Sequence, residues 1–336
     1  MKGPTMGAGK PALYLGFLGV GRIGLDRMAR ILQSGVVNAT AISDPSPEMI
    51  NAAIKIAPQA QVVASFDDLL DREIDGIIIA TPSALHAQQS TRALERGIPV
   101  FCQKPLGRTQ GEVADVVAAA QRSNILLGVD LSYRYTAAMQ QIRDIIRSGE
   151  LEHVFAADLI FHNAYGPDKP WFYDKSLSGG GCVMDLGVHL VDLALWALDF
   201  PAVTRVESTL FSQGRPIQDP AQVEDFAVAT IELAGGTILR LTCSWRLSAG
   251  CDAIIGASFY GTGGGAEFRN VEGSFFDFRA ERYWGTKREL IVSPPDAWPG
   301  RAAVSWAQRL SCGERFDPAC ANLITVATVL DAIYSR

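Results

Sequence analysis

The run "GVGRIG" constrains this chain more than any other stretch. Gly19, Gly21 and Gly24 have the spacing G-x-G-x-x-G, and they lie between the apolar run Leu13–Leu18 and an amphipathic run from Ile23 to Ser34. Glycines cluster in many turns, so the spacing alone says little. Between a strand and a helix it gains a physical reading. The first glycine permits a tight turn, the second lets backbone approach a pyrophosphate, and the third lets the helix pack on its strand. Unpaired N–H groups at the helix start then favour the phosphates. Arg22 and Ile23, inside the motif, join the three glycines as expected cofactor contacts. Asp44 ends the next apolar run, about 20 residues on, where a carboxylate can accept hydrogen bonds from ribose hydroxyls and repel a 2′-phosphate. NAD is therefore expected ahead of NADP. The plain alternative for Asp44 is an Asx turn before Pro45.

The chain around this motif alternates short apolar runs with helical ones. Gly35 closes the first helix, and Ala39–Ser43 reads as a second strand. Ser46 caps a helix that has Pro47 at its first position, and Ser65 with Asp68 forms a capping box. "GIIIATP" (Gly76–Pro82) and "IPVFCQKP" (Ile98–Pro105) read as buried strands. The helix between them runs to about Arg96 and ends at Gly97. Thr109 with Glu112 opens a further helix, and "ILLGVD" completes the series. Such alternation predicts an α/β domain over residues 12–131, built on a doubly wound parallel sheet.

From residue 132 to 336 the pattern changes. A helix is expected from about Thr136 to Gly149, then a strand at Val154–Phe161 and a helix from about Cys182 to Leu198. In "TILRLTCSWRL", Leu239, Leu241, Cys243, Trp245 and Leu247 alternate with polar residues, giving a strand with one apolar face. Gly235-Gly236 joins it to "VEDFAVATIEL" as a hairpin. A last helix covers Ala319–Tyr334. The second half therefore reads as α+β with a mostly antiparallel sheet.

Composition bounds the function. The 336 residues suit about two domains. Hydrophobic residues at 48% and charged residues at 20% exclude wholesale disorder. A formal net charge of −6 lacks the basic footprint of a nucleic-acid binder, so no such partner is expected. No run approaches the roughly 18 uncharged apolar residues of a bilayer span, so no membrane partner is expected either. Lys2 and Lys10 ahead of "PALYLGFLGVG" faintly resemble a secretory signal. That stretch passes straight into the glycine motif without a small-residue cleavage site, so residues 1–12 read instead as a loose leader. Six cysteines without a C-x-x-C pair read as reduced thiols, and a cytoplasmic location is expected.

Ligands of open α/β sheets bind beyond the carboxyl ends of the strands. That rule gathers Thr81, Pro82 and His86 after one strand with Gln103 and Lys104 after the next. His86 reads as structural rather than catalytic, and Lys104 can hold a substrate hydroxyl or polarise a carbonyl. In "GGGCVMDLGVHLVD", Asp185, His189 and Asp192 fall on one helical face, where buried charges need partners. Gly179–Gly181 lets something approach the start of that helix closely. The D-x-x-x-H spacing does not specify a metal, and none is expected.

Together "LGFLGVGRIG", "ATPSALH", the Lys104-Pro105 step, "YRY" at Tyr133–Tyr135 and "GGGCVMDLGVHLVD" give the chain, over nearly its whole length, a resemblance to the Gfo/Idh/MocA family. The family takes its name from glucose–fructose oxidoreductase, inositol dehydrogenase and rhizopine catabolism. The resemblance implies a Rossmann domain that binds NAD(P), followed by a substrate domain with an open-faced sheet. It implies hydride transfer between nicotinamide and a secondary alcohol or ketone of a sugar, sugar derivative or cyclitol. Lys104, Asp185 and His189 match the family's catalytic and substrate-binding positions, with His189 exchanging the proton. Tyr133, Arg134, His162, Trp171 and Tyr173 are candidate sugar contacts. The open sheet face implies a homodimer or homotetramer. One departure stands out: the family's usual Glu-Lys-Pro is here Gln103-Lys104-Pro105, which removes a possible charge partner of Lys104. Two rival functions share the scaffold, an NAD-dependent glycosidase and a non-enzymatic dinucleotide-binding regulator. Net NAD consumption during turnover separates a dehydrogenase from the first, and intact Lys104, Asp185 and His189 argue against the second.

Overall fold

The structure, a computed structural model, describes residues 13–335. The expected leader lies outside the described residues. Strands and helices then alternate as β1 (Leu13–Leu18), α1 (Arg22–Gln33), β2 (Val37–Ser43), α2 (Pro47–Ile56), β3 (Gln61–Val62) and α3 (Phe66–Leu70). They continue as β4 (Gly76–Ile79), α4 (Ser83–Glu95), β5 (Val100–Cys102), α5 (Gln110–Ser123) and β6 (Leu127–Val129). The six strands pair in parallel in the order β3-β2-β1-β4-β5-β6. The order reverses between β1 and β4, and this reversal opens a crevice at their carboxyl ends. The Ser46, Ser65 and Thr109 side chains cap their helices by accepting from the N–H groups of Met49, Asp68 and Glu112. Strands β4 and β5 stop short of the apolar runs that announced them. Thr81-Pro82 and Lys104-Pro105 lie past the last ladder pairs and line the crevice instead.

The second half holds α6 (Ala137–Arg147), β7 (Val154–Asn163), α7 (Lys175–Ser178) and α8 (Val188–Ala197). Strands β8 (Val203–Ser212), β9 (Arg215–Pro216), β10 (Phe226–Leu233), β11 (Ile238–Ser244) and β12 (Ala253–Gly261) follow. The last three strands are β13 (Gly264–Asn270), β14 (Phe278–Trp284) and β15 (Lys287–Val292). All pair in one nine-stranded sheet, β15-β14-β13-β12-β7-β11-β10-β8-β9, antiparallel except at β7–β11. Residues Ala157, Leu159, Phe161, Leu239, Leu241 and Cys243 point to the core that α6 and α8 cover. Their neighbours, such as Asp158 and Arg240, pair on the opposite, uncovered face.

Three features depart from expectation. The helix expected from Cys182 begins as a wide π turn, Val183–Gly187, before α8. An unforeseen helix, α9 (Arg301–Ser311), returns to the first sheet, where Trp306 is buried 5.8 Å from Phe101. The final helix, α10 (Ala321–Tyr334), packs on both α5 and α8. Finally, Lys175–Ala197 is long and apolar enough to cross a bilayer by length and composition, contrary to the sequence reading, but past its exposed first turn it is almost wholly buried in the fold. Its charged residues find partners inside the protein, which is how an apolar core helix of a globular chain carries them.

Candidate active site

The glycine motif forms the floor of the crevice. Gly19 adopts φ +81°, and a Cβ there would lie 2.6 Å from the Ala80 carbonyl oxygen. A Cβ on Gly24 would lie 2.2 Å from the Gly19 carbonyl. Both glycines are required by the protein's own packing. Gly21 differs: a Cβ there would meet no described residue within 4 Å. The space above it is open, and no side chain caps α1, which starts with the exposed residues Arg22 and Ile23. An uncapped helix start facing open space suits a pyrophosphate. The half-buried Asp44 carboxylate accepts from the Val20 N–H (2.8 Å) and the Ser46 N–H (2.8 Å). The Asx turn is therefore present, and each oxygen keeps a lone pair for a further donor. These residues fit a dinucleotide.

At the far end of the crevice the two domains meet at Lys104. Its Nζ donates to the Asp185 carboxylate (2.7 Å) and to the Asp185 carbonyl (2.6 Å). An ammonium has three donors, so one remains for a substrate oxygen. The other Asp185 oxygen accepts from the Trp245 indole N–H at 3.0 Å. The apolar alternation of the β11 run marked Trp245 as core, and its site role was not legible. The π turn sets where Asp185 stands, because its wider coil changes the rotation between Asp185 and His189. His189 is buried edge-on to Tyr133 (ring centroids 4.8 Å apart) and near Phe161. It makes no hydrogen bond to a described residue. Burial first, then the positive charges of Lys104 and Arg27, hold its pKa well below the usual histidine value. The ring is therefore a neutral imidazole at neutral pH.

Gln103 does not face Lys104. Its amide donates to Asp130 (2.6 Å), which also accepts from Arg27 Nε (2.6 Å). The carboxylate missing from the Glu-Lys-Pro pattern thus leaves Lys104 paired, because Asp185 fills that role from the second domain. His86 has one ring nitrogen 2.7 Å from the Thr81 carbonyl and the other 2.7 Å from that of Pro105. It ties the turn after β4 to the turn after β5. Thr81 itself donates to Gln89 (2.6 Å), and Pro82 is exposed at the start of α4.

The glycine run before the π turn admits protein, not ligand. A Cβ on Gly180 would lie 2.0 Å from the Tyr334 hydroxyl, and one on Gly181 would lie 1.9 Å from the Glu224 carbonyl. The buried Glu224 carboxylate accepts from the Gly181 and Val183 N–H groups (2.9 and 3.0 Å) and from the Tyr334 hydroxyl (2.7 Å). Nothing local in the sequence announces this cap. Its partners are 41 to 110 residues apart.

Two expected sugar contacts lie elsewhere. Arg134 grips the buried Asp192 carboxylate with two nitrogens and lies against Trp196 and Phe200. Buried Asp192 needs that cation, so Arg134 is a structural partner rather than a ligand arm. His162 lies on the uncovered sheet face, stacked on Phe226 and hydrogen-bonded to Ser244 (2.7 Å). Strand alternation decides this: Phe161 points to His189, so its neighbour points away. Tyr133 does border His189. Tyr173 stands 5.7 Å from Trp245, and Trp171 stacks on Phe172, which also contacts Trp245. These aromatics wall the Trp245 side of Asp185.

A doubly wound sheet with a phosphate-ready helix start, closed over by a second domain's polar side chains, defines a two-domain nicotinamide-dependent oxidoreductase class. Residues 13–131 match the oxidoreductase family with an NAD-binding Rossmann fold, and residues 139–267 match the GFO/IDH/MocA C-terminal domain. The chain belongs to the Gfo/Idh/MocA oxidoreductase family. It is 30% identical over 227 residues to D-glucoside 3-dehydrogenase of Escherichia coli, a match covering 64% of this chain and 63% of that protein. Two solved structures share the fold. Levoglucosan dehydrogenase in complex with NADH and levoglucosan has a TM-score of 0.82 at 20% identity, covering 96% of each chain. A 3-ketoreductase from Actinomadura kijaniata in complex with NADP and TDP-benzene has a TM-score of 0.81 at 19% identity, covering 96% of this chain and 97% of that one.

Proposed function

We propose that this protein transfers a hydride between NAD and a secondary alcohol or ketone of a sugar, sugar derivative or cyclitol. The observation that carries this reading is the Lys104–Asp185 pair beside His189 at the carboxyl end of the Rossmann sheet. Gly19, Gly21, Arg22, Ile23, Gly24 and Asp44 would hold the dinucleotide, and the nicotinamide supplies the hydride acceptor or donor. The remaining work is proton transfer and charge stabilisation by the protein. His189, neutral and without a hydrogen-bond partner among the described residues, takes the hydroxyl proton as the carbinol is oxidised. The third Lys104 N–H steadies the developing alkoxide, a preorganised charge in a partly dry site. Asp185 fixes that ammonium while Trp245 fixes Asp185. The names of the relatives, sugar dehydrogenases and a ketoreductase, support the substrate class. Asp44 supports NAD over NADP, since its free lone pairs suit ribose hydroxyls and its charge opposes a phosphate.

The uncovered face of the second sheet would seat a second copy, giving a homodimer or homotetramer. Its rows of opposite charges, Arg240 with Asp158 and Arg269 with Glu267, offer the self-complementary surface an isologous contact needs. Light scattering at micromolar concentration tests this, and a strict monomer overturns it. For the reaction, a panel of sugars and cyclitols is assayed for NADH formation. Stoichiometric NADH with an oxidised sugar is expected. Turnover without net NADH, releasing a cleaved glycoside, would replace this reading with the glycosidase one.

A further inference from the structure

Asp130 is almost fully buried at the end of β6. One of its oxygens accepts both Arg27 Nε and the Gln103 amide, each at 2.6 Å, and the other has no partner among the described residues. The backbone locks the same corner: Gln103 N–H donates to Ile79 O (2.9 Å), and Asp130 N–H donates to Cys102 O (2.9 Å). Arg27 lies on α1, just past Gly24, and Gln103 immediately precedes Lys104. One small network thus ties the cofactor helix to the strand end that delivers Lys104. A carboxylate only accepts hydrogen bonds, so residue 103 must offer an N–H here. A glutamate in its place would press a second anion against the first within a hydrogen-bond length.

We propose that Gln103 and Asp130 are a positioning pair that carries a single negative charge. The carboxylate holds Arg27, and with it the start of the cofactor helix. The amide fixes the strand end from which Lys104 reaches Asp185. This rests on the reading that the crevice holds the nicotinamide cofactor. The charges and titratable groups around the pair are Arg27 and Asp26 from α1, Lys104 and the Cys102 thiol from β5 and its turn, and Tyr133 and His189 from the second domain. None of them offers a second cation to neutralise an added carboxylate, since Lys104 is turned to Asp185. The pair has a direct consequence: the carboxylate and the amide should be exchangeable between the two positions. Both donors share one Asp130 oxygen, so after a turn about χ2 Asn at 130 can accept from Arg27 with its oxygen and donate with its nitrogen to a carboxylate at 103.

The test compares wild type, Gln103→Glu, Asp130→Asn and the double exchange. Thermal melting and NADH titration by fluorescence are measured from about pH 5 to about pH 8. In Gln103→Glu the two carboxylates and their burial raise the folded-state pKa of one above its unfolded value of about 4.3. Its stability is therefore complete at low pH and is lost as pH rises through that raised pKa. The variant should come nearest to wild type at about pH 5, then melt lower and bind NADH about tenfold more weakly near pH 8. Asp130→Asn should be weak at every pH. The double exchange should return to within about threefold of wild-type NADH affinity and show no added pH dependence. A pH-independent Gln103→Glu, or a double exchange no better than Asp130→Asn, overturns the proposal. If Asp130→Asn does not fold, the double exchange decides alone: a folded double supports the pair and an unfolded one overturns it. If the melting pattern appears but wild type binds no NADH, the cofactor reading falls and takes the positioning role with it. If wild type binds NADH and the melting pattern is absent, only the pair falls.

Discussion

The two walls of the crevice are made of different material. On the Rossmann side the wall is backbone: a left-handed Gly19, an uncapped α1 and open space above Gly21. On the second-domain side it is side chains held by other side chains, with Asp185 between Lys104 and Trp245 and His189 among aromatic rings. Even the helix that carries them is fixed by a side chain, Glu224, which caps it from the loop before β10. A backbone cradle depends on a few glycines and accepts any phosphate of the right shape. A side-chain wall can be altered one residue at a time, and in the proposed reaction it is the wall that would face the variable part, the substrate.

This contrast can be broken by experiment. The largest effect is expected on the side-chain wall. His189→Ala should lower kcat by about 10²–10⁴ while NAD affinity stays nearly unchanged. Lys104→Ala should be at least as damaging, because charge stabilisation and positioning vanish together. Single-turnover hydride transfer, with melting curves alongside, reads both. Because His189 titrates well below 6.5, the acid limb of the wild-type rate profile should also fall below that value; a limb at or above it removes His189 from the role. Arg134→Ala should instead strike stability, costing about 3–5 kcal/mol by stranding buried Asp192, with KM unchanged. Denaturant melts and initial rates separate the two, and a large KM change would return Arg134 to the substrate.

Smaller effects are expected on the backbone wall. Gly21→Ala fits the fold without a clash, so it should melt like wild type yet bind NADH roughly tenfold more weakly, about 1.4 kcal/mol. Loss of stability without loss of affinity would mean that the open space is not the cofactor's. Smallest of all, Asp44→Ala should narrow the preference for NAD over NADP in parallel fluorescence titrations. Tighter NADP binding by wild type would overturn the assignment.

The first domain was legible because its signals are local. Ser46, Ser65 and Thr109 cap helices within three residues of themselves, and the spacing of Gly19, Gly21 and Gly24 falls within one short run, although Gly19 also leaves room for the distant Ala80 carbonyl. The antiparallel hairpin at Gly235-Gly236 was legible for the same reason. Lys104, Asp185 and His189 could be named from the sequence because each sits in a recognisable local run. What they touch could not be named. Periodicity does not say that Trp245 turns its N–H to Asp185, that Gln103 donates to Asp130, or that Phe161 rather than His162 faces His189. Nor does it reveal that Gly180 and Gly181 make room for Tyr334 and Glu224, or that α9 crosses back to bury Trp306 under the first sheet. By itself the sequence determined most elements of the first domain, the phosphate-ready turn and the residue types at the site. Tertiary structure alone decided the partners, because burial makes every charge and N–H find a complement, and that complement was supplied by whichever distant segment the packing brought within reach.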